Sequence, residues 1–401
     1  MSLPAWLHPD FRLTDVAGTM TASEVIEAGT RLAEELPLWS RAGLDASDAR
    51  TILPALLAAE ARQADLFLIR DASTGAEIDH RIEGETVVEL ADDGPAGTGL
   101  VWLQTSGSTG RPKWVSHPPE KLRARIAAGQ KGARWLLSYG AGSFAGLQVI
   151  LSAAIGGHHL VAPSAPPAIG DLAALAVKHG ITHLSGTPTF WRAFLMALGA
   201  AELPLATVTL GGEATDQALL DALGAKFPAA RLRHLYATTE LGTVFSVADG
   251  RAGFPAAWLE TGLNGVRLTI TDRDTLAVAR GDGAPQDTGD RIAIVEDRVL
   301  FRGRLDDMVN IGGVKLWPEE VETHLLQLPF VRDALVSVRP SPITGSILVA
   351  DLVLAEGAEQ ALCAPLIKAH LERLPRAARP AMIRYQSALP TGLTGKKLRM
   401  P

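Results

Sequence analysis

The chain has 401 residues, 47% of them hydrophobic and 20% charged, with a formal net charge of −6 at pH 7. That is more chain than one hydrophobic core organises, so two units are expected, and the composition excludes a disordered protein. The acidic balance supplies no overall basic field for polymeric nucleic acid, and the single Cys363 excludes an internal disulfide and any multi-cysteine metal centre.

The start, Met-Ser-Leu-Pro-Ala-Trp-Leu-His-Pro-Asp, lacks the charged and apolar regions of a signal peptide, so no export is implied and a reducing, cytoplasmic location is expected. Apolar positions at helical spacing from Thr21 to Leu66 predict two helices, interrupted by a breaker at Leu44-Asp45-Ala46-Ser47. Gly99 to Leu103 reads as a buried strand, and Phe144 to Gly157 as a buried helix too short to span a bilayer. Short β-rich runs at His159–Val161, Ile181–Leu184, Ala206–Leu210 and His234–Tyr236 then alternate with helical stretches such as Leu172 to His179, which indicates a largely parallel sheet covered by helices.

After about Gly262 the pattern changes to closely spaced strands, Val266 to Thr271, Arg291 to Val295 and Arg298 to Phe301, joined by Asp/Gly turns. These predict a small, mostly antiparallel β subdomain. Pro318 then opens a helix, strands follow at Ala334–Arg339 and Ile347–Val353, and a helix runs from Leu362 to Leu374. The fold class expected is therefore α/β: a large N-terminal domain of mostly parallel, helix-covered sheets with a small β subdomain, over 1–303, and a small α+β C-terminal domain over 304–401.

Chemistry concentrates in a few segments. Thr105-Ser106-Gly107-Ser108-Thr109-Gly110-Arg111-Pro112-Lys113 puts hydroxyls, glycines and one cation directly after an apolar strand. Successive backbone N–H groups there can point at one anion, and Lys113 adds a point charge. It is not the mononucleotide P-loop, because Arg111-Pro112 separates Gly110 from the lysine. A plain surface loop has the same composition. Gly211-Gly212-Glu213 alone is a tight turn. Tyr236-Ala237-Thr238-Thr239-Glu240 places an aromatic, hydroxyls and a carboxylate at a strand end, a set suited to a nucleotide with its divalent cation; taken alone, Glu240 could equally be a solvated acid at a helix start. His158-His159 and His183 lack a further recognisable ligand for a metal.

In this order the segments resemble the acyl-adenylate-forming (AMP-binding) superfamily, specifically an acyl- or aryl-CoA synthetase with a shortened N-terminal region, from about Leu100 to Arg399. The resemblance implies that Thr105 to Gly110 and Lys113 form the phosphate loop, that Gly211, Gly212, Glu213 and Tyr236 lie against adenine, and that Asp290 of Thr288-Gly289-Asp290 and Arg304 hold ribose and phosphate. It further implies Thr239 and Glu240 as catalytic residues, Glu240 as the Mg²⁺ ligand, Lys396 of Thr394-Gly395-Lys396 as the catalytic lysine and Asp306 as the hinge of a mobile small domain. An acyl pocket of Tyr139, Ser143, Phe144, His183, Ala237 and Thr238 and a thiol-acceptor loop at Gly312 and Gly313 complete the set. His183 could instead be a core histidine. The reaction implied is ATP-dependent formation of an acyl-AMP from a carboxylic acid, then transfer to CoA. The alternative acceptor is the phosphopantetheine thiol of a separate acyl- or peptidyl-carrier protein, and a binding-only protein is the remaining alternative. No nucleic acid or membrane partner is expected.

Overall fold

In the computed structural model the described residues are 4–70, 77–90, 96–105, 113–126, 132–163, 167–311, 313–341, 345–390 and 397. Two sheets dominate the first part of the chain. The larger runs in spatial order Gly242–Val247, Arg231–Thr238, Thr207–Gly211, His183–Gly186, Arg134–Leu136, His159–Val161, Arg12–Asp15 and Gly18–Thr21. All neighbours are parallel except at its two edges, as the β/helix alternation predicts. The second sheet runs Thr86–Glu89, His80–Glu83, Arg41–Asp45, Asp65–Ile69, Val101–Thr105 and Lys113–His117, again parallel inside and antiparallel at the edges.

The helices Ala22–Glu35 and Ala49–Arg62 are the two expected from the first apolar pattern. Thr21 caps the first in a capping box with Glu24. The segment read as a breaker, Leu44-Asp45-Ala46-Ser47, takes in the turn at Ala46-Ser47 and, before it, the end of the strand Arg41–Asp45, a central member of the second sheet. Its Arg-Ala-Gly-Leu-Asp sequence carries little β propensity; parallel pairing with Asp65–Ile69 and His80–Glu83 sets its conformation. One core joins the two sheets through the intervening helices, with Leu13 and Leu160 from one sheet, Leu44, Leu66 and Leu103 from the other, and Leu32, Leu53 and Ile150 from helices. The opposite face of the larger sheet is covered by helices Ile169–His179, Pro188–Leu198 and Gln217–Lys226, around Trp191, Phe194 and Leu223.

The antiparallel subdomain is a five-stranded sheet with its own core around Phe254, Leu276 and Val299. It contains Thr275–Arg280, a strand absent from the sequence reading. The last part has a separate core, built from the helices Pro318–Leu325 and Gln360–Leu371 on the strands Val331–Ser341, Gly345–Leu354 and Met382–Tyr385. Cys363 is buried there as a free thiol, a small packed side chain. No helix among the described residues is long and apolar enough to cross a membrane.

Candidate functional site

Parallel strands deliver their carboxyl ends to one edge of a sheet, where open α/β folds bind ligands. At this edge Ser138 and Tyr139 follow Arg134–Leu136, Thr187 follows His183–Gly186, Gly212 and Glu213 follow Thr207–Gly211, and Tyr236 to Thr238 end the strand Arg231–Thr238. Gly212 has φ +84, a left-handed turn that only glycine adopts without strain. The turn leads directly to Glu213, whose Oε2 accepts the Thr189 N–H at 3.0 Å and whose Oε1 accepts the Lys397 N–H at 3.2 Å.

Tyr139 is buried, with its hydroxyl 3.5 Å from Ser185 Oγ. Burial, and secondarily the charge of Glu213, raise its pKa. The phenol therefore remains protonated beside the carboxylate, as a neutral polar wall of the edge.

Tyr236 is stacked between Phe245 and Phe301, with centroids 5.3 and 4.9 Å away. A register shift between Tyr236 and Ala237 re-aims the strand end. The Tyr236 hydroxyl donates to Asp290 Oδ2 at 2.5 Å, and Arg304 Nη1 reaches Asp290 Oδ1 at 3.2 Å. Asp290 and Arg304 are also cross-strand partners, so the backbone register itself presents the ion pair. Burial and the Asp290 charge push the Tyr236 pKa upward, which keeps the phenol a donor.

Thr239 and Glu240 occupy a turn leading into the antiparallel strand Gly242–Val247, not the start of a helix. Glu240 is exposed, whereas the Thr238 hydroxyl accepts the Leu241 N–H at 3.0 Å and is engaged in shaping the turn. His117, which the sequence reading passed over, faces this turn. Burial lowers its pKa while the Glu240 charge opposes that shift, and its Nε2 is buried with no hydrogen-bond partner among the described residues. His117 ends the strand that begins at Lys113, and Lys113 pairs in register with Thr105. The base of the Thr105–Lys113 hairpin is thereby tied through one strand to the Thr239–Glu240 turn. Ser106, Gly107, Ser108, Thr109, Gly110, Gly312 and Lys396 lie outside the described residues.

Among the described residues no group of three or more His, Cys, Asp or Glu could hold a metal by itself. A single exposed carboxylate such as Glu240 fits a different cation: Mg²⁺ takes one or two carboxylates and completes its shell with phosphates and water.

Two further acyl-pocket candidates have side chains engaged within the fold. Ser143 caps the helix Phe144–Gly156, accepting the Gly146 N–H at 3.0 Å and donating to the Gly140 carbonyl at 2.8 Å. Its hydroxyl is used by the backbone and buried. His183 begins its strand, in register with Thr207 and Trp135, and so sits at the amino edge of the sheet, opposite Gly211 and Ala237. Burial first, then the neighbouring His158 and Arg233, push its pKa down to about 4, the signature of a neutral packed imidazole. Phe144 and Ala237, both half-buried, remain near the turn, Phe144 lying against Gly242. Asp306 lies exposed in the 3-10 turn Leu305–Asp307, between the β subdomain and the C-terminal unit. Gly313, at φ +88, turns the ribbon Val309–Ile311/Val314–Leu316, with its N–H on Asn310 Oδ1 at 2.9 Å.

A family model described as AMP-binding enzyme matches residues 43–285, and one described as AMP-binding enzyme C-terminal domain matches 320–396. Over 345 residues the chain is 32% identical to an isonitrile lipopeptide synthase from Streptomyces coeruleorubidus, covering 73% of this chain and 23% of that protein. Over 120 residues it is 35% identical to an acetyl-coenzyme A synthetase from Deinococcus radiodurans, covering 30% of this chain and 17% of that protein. The matched part is thus under a quarter of the length of these relatives. Among solved structures, the o-succinylbenzoate CoA synthetase from Bacillus subtilis in complex with its acyl-adenylate intermediate superposes with a TM-score of 0.69 at 19% identity, covering 97% of this chain and 94% of that one. At that identity the likeness concerns the fold alone.

Proposed function

Because the chain belongs to the AMP-binding enzyme family, we propose that it activates a carboxylic acid with ATP, releasing pyrophosphate and forming an acyl-AMP, and then passes the acyl group to the thiol of CoA. The observation carrying this reading is the junction of Tyr236, Asp290 and Arg304 beside the Gly211-Gly212-Glu213 edge. An aromatic stack, a carboxylate with acceptor capacity for ribose hydroxyls and a neighbouring guanidinium suit a nucleoside monophosphate better than a generic anion.

The substrate carboxylate is already ionised, so it attacks the α-phosphorus without a general base, and the pyrophosphate leaves in line. Thr239 at the turn donates its hydroxyl to the α-phosphate. Mg²⁺, when bound at Glu240 with the nucleotide, neutralises charge on the phosphates. Thr105 and Lys113 hold the ends of the phosphate loop, with Ser106 to Gly110 between them. Lys396 bridges the attacking carboxylate and the α-phosphate and stabilises the charge that grows in the transition state. Tyr139, Phe144, Ala237 and Thr238 border the acyl side. The large unit is assigned to 1–303 and the small one to 304–401; turning about Asp306 withdraws Lys396 and presents Gly312 and Gly313 to the incoming thiol.

A second acceptor, the phosphopantetheine thiol of a separate carrier protein, is favoured by the likeness of most of this chain to a lipopeptide synthase. Pyrophosphate release against a panel of aryl, fatty and amino acids, each with and without CoA, separates the readings. Acceleration of one acid by CoA supports the ligase. Adenylation indifferent to CoA moves the acceptor to a carrier, and no release with any acid rejects the activation chemistry.

A further inference from the structure

Glu213 is engaged from two parts of the chain. Its Oε2 holds Thr189 N–H in the first turn of the helix Pro188–Leu198, and its Oε1 holds the backbone N–H of Lys397, 184 positions away. Lys397 is in turn fastened by its side chain: the ammonium lies 2.7 Å from Asp333 Oδ1 and 2.6 Å from the Ala334 carbonyl oxygen. Asp333 and Ala334 belong to the strand Val331–Ser341, and Asp333 is only 6% exposed. The helix Pro188–Leu198 also packs on that strand.

Lys397 therefore joins two bodies by two kinds of contact. Its side chain ties it to the C-terminal core, and its backbone ties it to the carboxyl edge of the larger sheet. A buried ammonium needs a paired carboxylate, so Asp333 sets where this segment sits on the C-terminal unit. A hydrogen bond to an ionised carboxylate is stronger than one to a neutral acceptor, so Glu213 can hold the segment through a single N–H.

We propose that Glu213, Lys397 and Asp333 form a docking latch that holds the backbone next to Lys396 against the adenylate edge, making Glu213 and Asp333 positioning residues for the acyl-AMP-forming step. The proposal rests on the adenylation reading above, with Lys396 as its cation. It implies that the Glu213 contact forms for adenylation and breaks when the small unit turns for thiol transfer. The Asp333 pair travels with the small unit and persists through both steps.

Amide hydrogen exchange in the full chain reads the latch without turnover. The Lys397 amide is expected to be protected, and Glu213→Gln to speed its exchange about tenfold. The Val336 amide, which donates to Glu322 within the small unit at 2.8 Å, is the folding control and should be unaffected. Free exchange at Lys397 in the unaltered protein, or protection unmoved by Glu213→Gln, overturns the latch. The half-reactions give the second arm. Asp333→Asn and Lys397→Met are each expected to lower the kcat of pyrophosphate exchange about tenfold or more, while thiolysis of a supplied acyl-adenylate changes less than about twofold. Equal losses in both half-reactions would make the contact merely structural and reject the proposal. Absence of pyrophosphate exchange in the unaltered protein would reject the adenylation reading, while amide exchange would still decide the latch.

Discussion

The phenol of Tyr236 and the carboxylate of Asp290 meet at 2.5 Å, across the junction between the parallel sheet and the antiparallel subdomain. Each constrains the other: the phenol fixes one carboxylate oxygen, Arg304 approaches the second, and burial together with the charge of Asp290 keeps the phenol protonated. Tyr236→Phe removes one donor to a half-buried charge while preserving the stack on Phe245 and Phe301. It should cost about 1–2 kcal/mol of stability and raise the ATP KM several-fold with a smaller change in kcat. Asp290→Ala should raise that KM further, because it removes the acceptor itself. Steady-state kinetics at saturating acid, with urea unfolding of the same proteins, measures both effects.

Glu240 gives the opposite pattern. It is exposed at its turn, so Glu240→Gln should leave stability within about 0.5 kcal/mol. Pyrophosphate release should fall by about a hundredfold and respond to higher Mg²⁺ concentration, since the substitution removes the hard anionic ligand and keeps the shape. A loss of stability matching the loss of activity would count against a cation role.

Ser143 separates a capping role from a substrate role. With its hydroxyl on Gly146 N–H and the Gly140 carbonyl, Ser143→Ala should destabilise the protein by about 1 kcal/mol and leave the KM for the preferred acid unchanged. A change in acid preference would return Ser143 to the pocket wall.

Much of the fold was legible because its strands are apolar runs flanked by breakers. Ala206–Leu210 and His159–Val161 declare themselves through period and composition, and the observed strands Thr207–Gly211 and His159–Val161 follow closely. Arg41–Asp45 did not, since Arg, Gly and Asp occupy most of a five-residue strand whose conformation comes from its neighbours. For His183, the alternative of a packed histidine is the one its burial favours; the run Ile181–Leu184 predicts a strand but not which residue begins it, and two residues of register decide which edge a side chain occupies. Motif resemblance points Ser143 at the acyl pocket, while Ser at the head of an apolar helix is also a cap signal readable by itself, and its hydrogen bonds make that cap. Glu213 and Lys397, far apart in sequence, are joined through a backbone N–H, which no side-chain pattern announces.

The histidine edge predicts an acid-sensitive fold. His183 titrates at about 4 in the folded protein against a usual value of 6.5, and burial also lowers His158 beside it. The folded state binds fewer protons than the unfolded chain between these values, so this contribution to stability is complete above about pH 6.5 and is lost as pH falls toward 4. Urea midpoints should therefore decline from pH 7 to pH 5, and His183→Gln should flatten that decline, with little effect on pyrophosphate release at pH 7.5. An unaltered slope would mean that other groups carry the acid sensitivity.

Arg291 predicts how firmly the small unit rests on the β subdomain. From the strand Gln286–Val295 its guanidinium lies 3.4 Å from the centroid of the Trp317 ring and 2.8 Å from Glu320 Oε1, both at the entry to the helix Pro318–Leu325. The proposed turn of the small unit about Asp306 would have to break this stack together with the ion pair. Neither contact is deeply buried on both sides, so together they contribute about 1 kcal/mol, enough to bias the arrangement and too little to lock it. Arg291→Ala should therefore speed tryptic cleavage after Arg302 or Arg304 about threefold to tenfold while the global unfolding midpoint changes little. Adding a stable acyl-adenylate analogue should suppress that cleavage in the variant as in the unaltered protein, because the proposed nucleotide contacts with Asp290 and Arg304 do not pass through Arg291. If cleavage is unchanged by Arg291→Ala, the two units are held by other contacts, such as Glu213 with Lys397 and the packing of the helix Pro188–Leu198 on the strand Val331–Ser341.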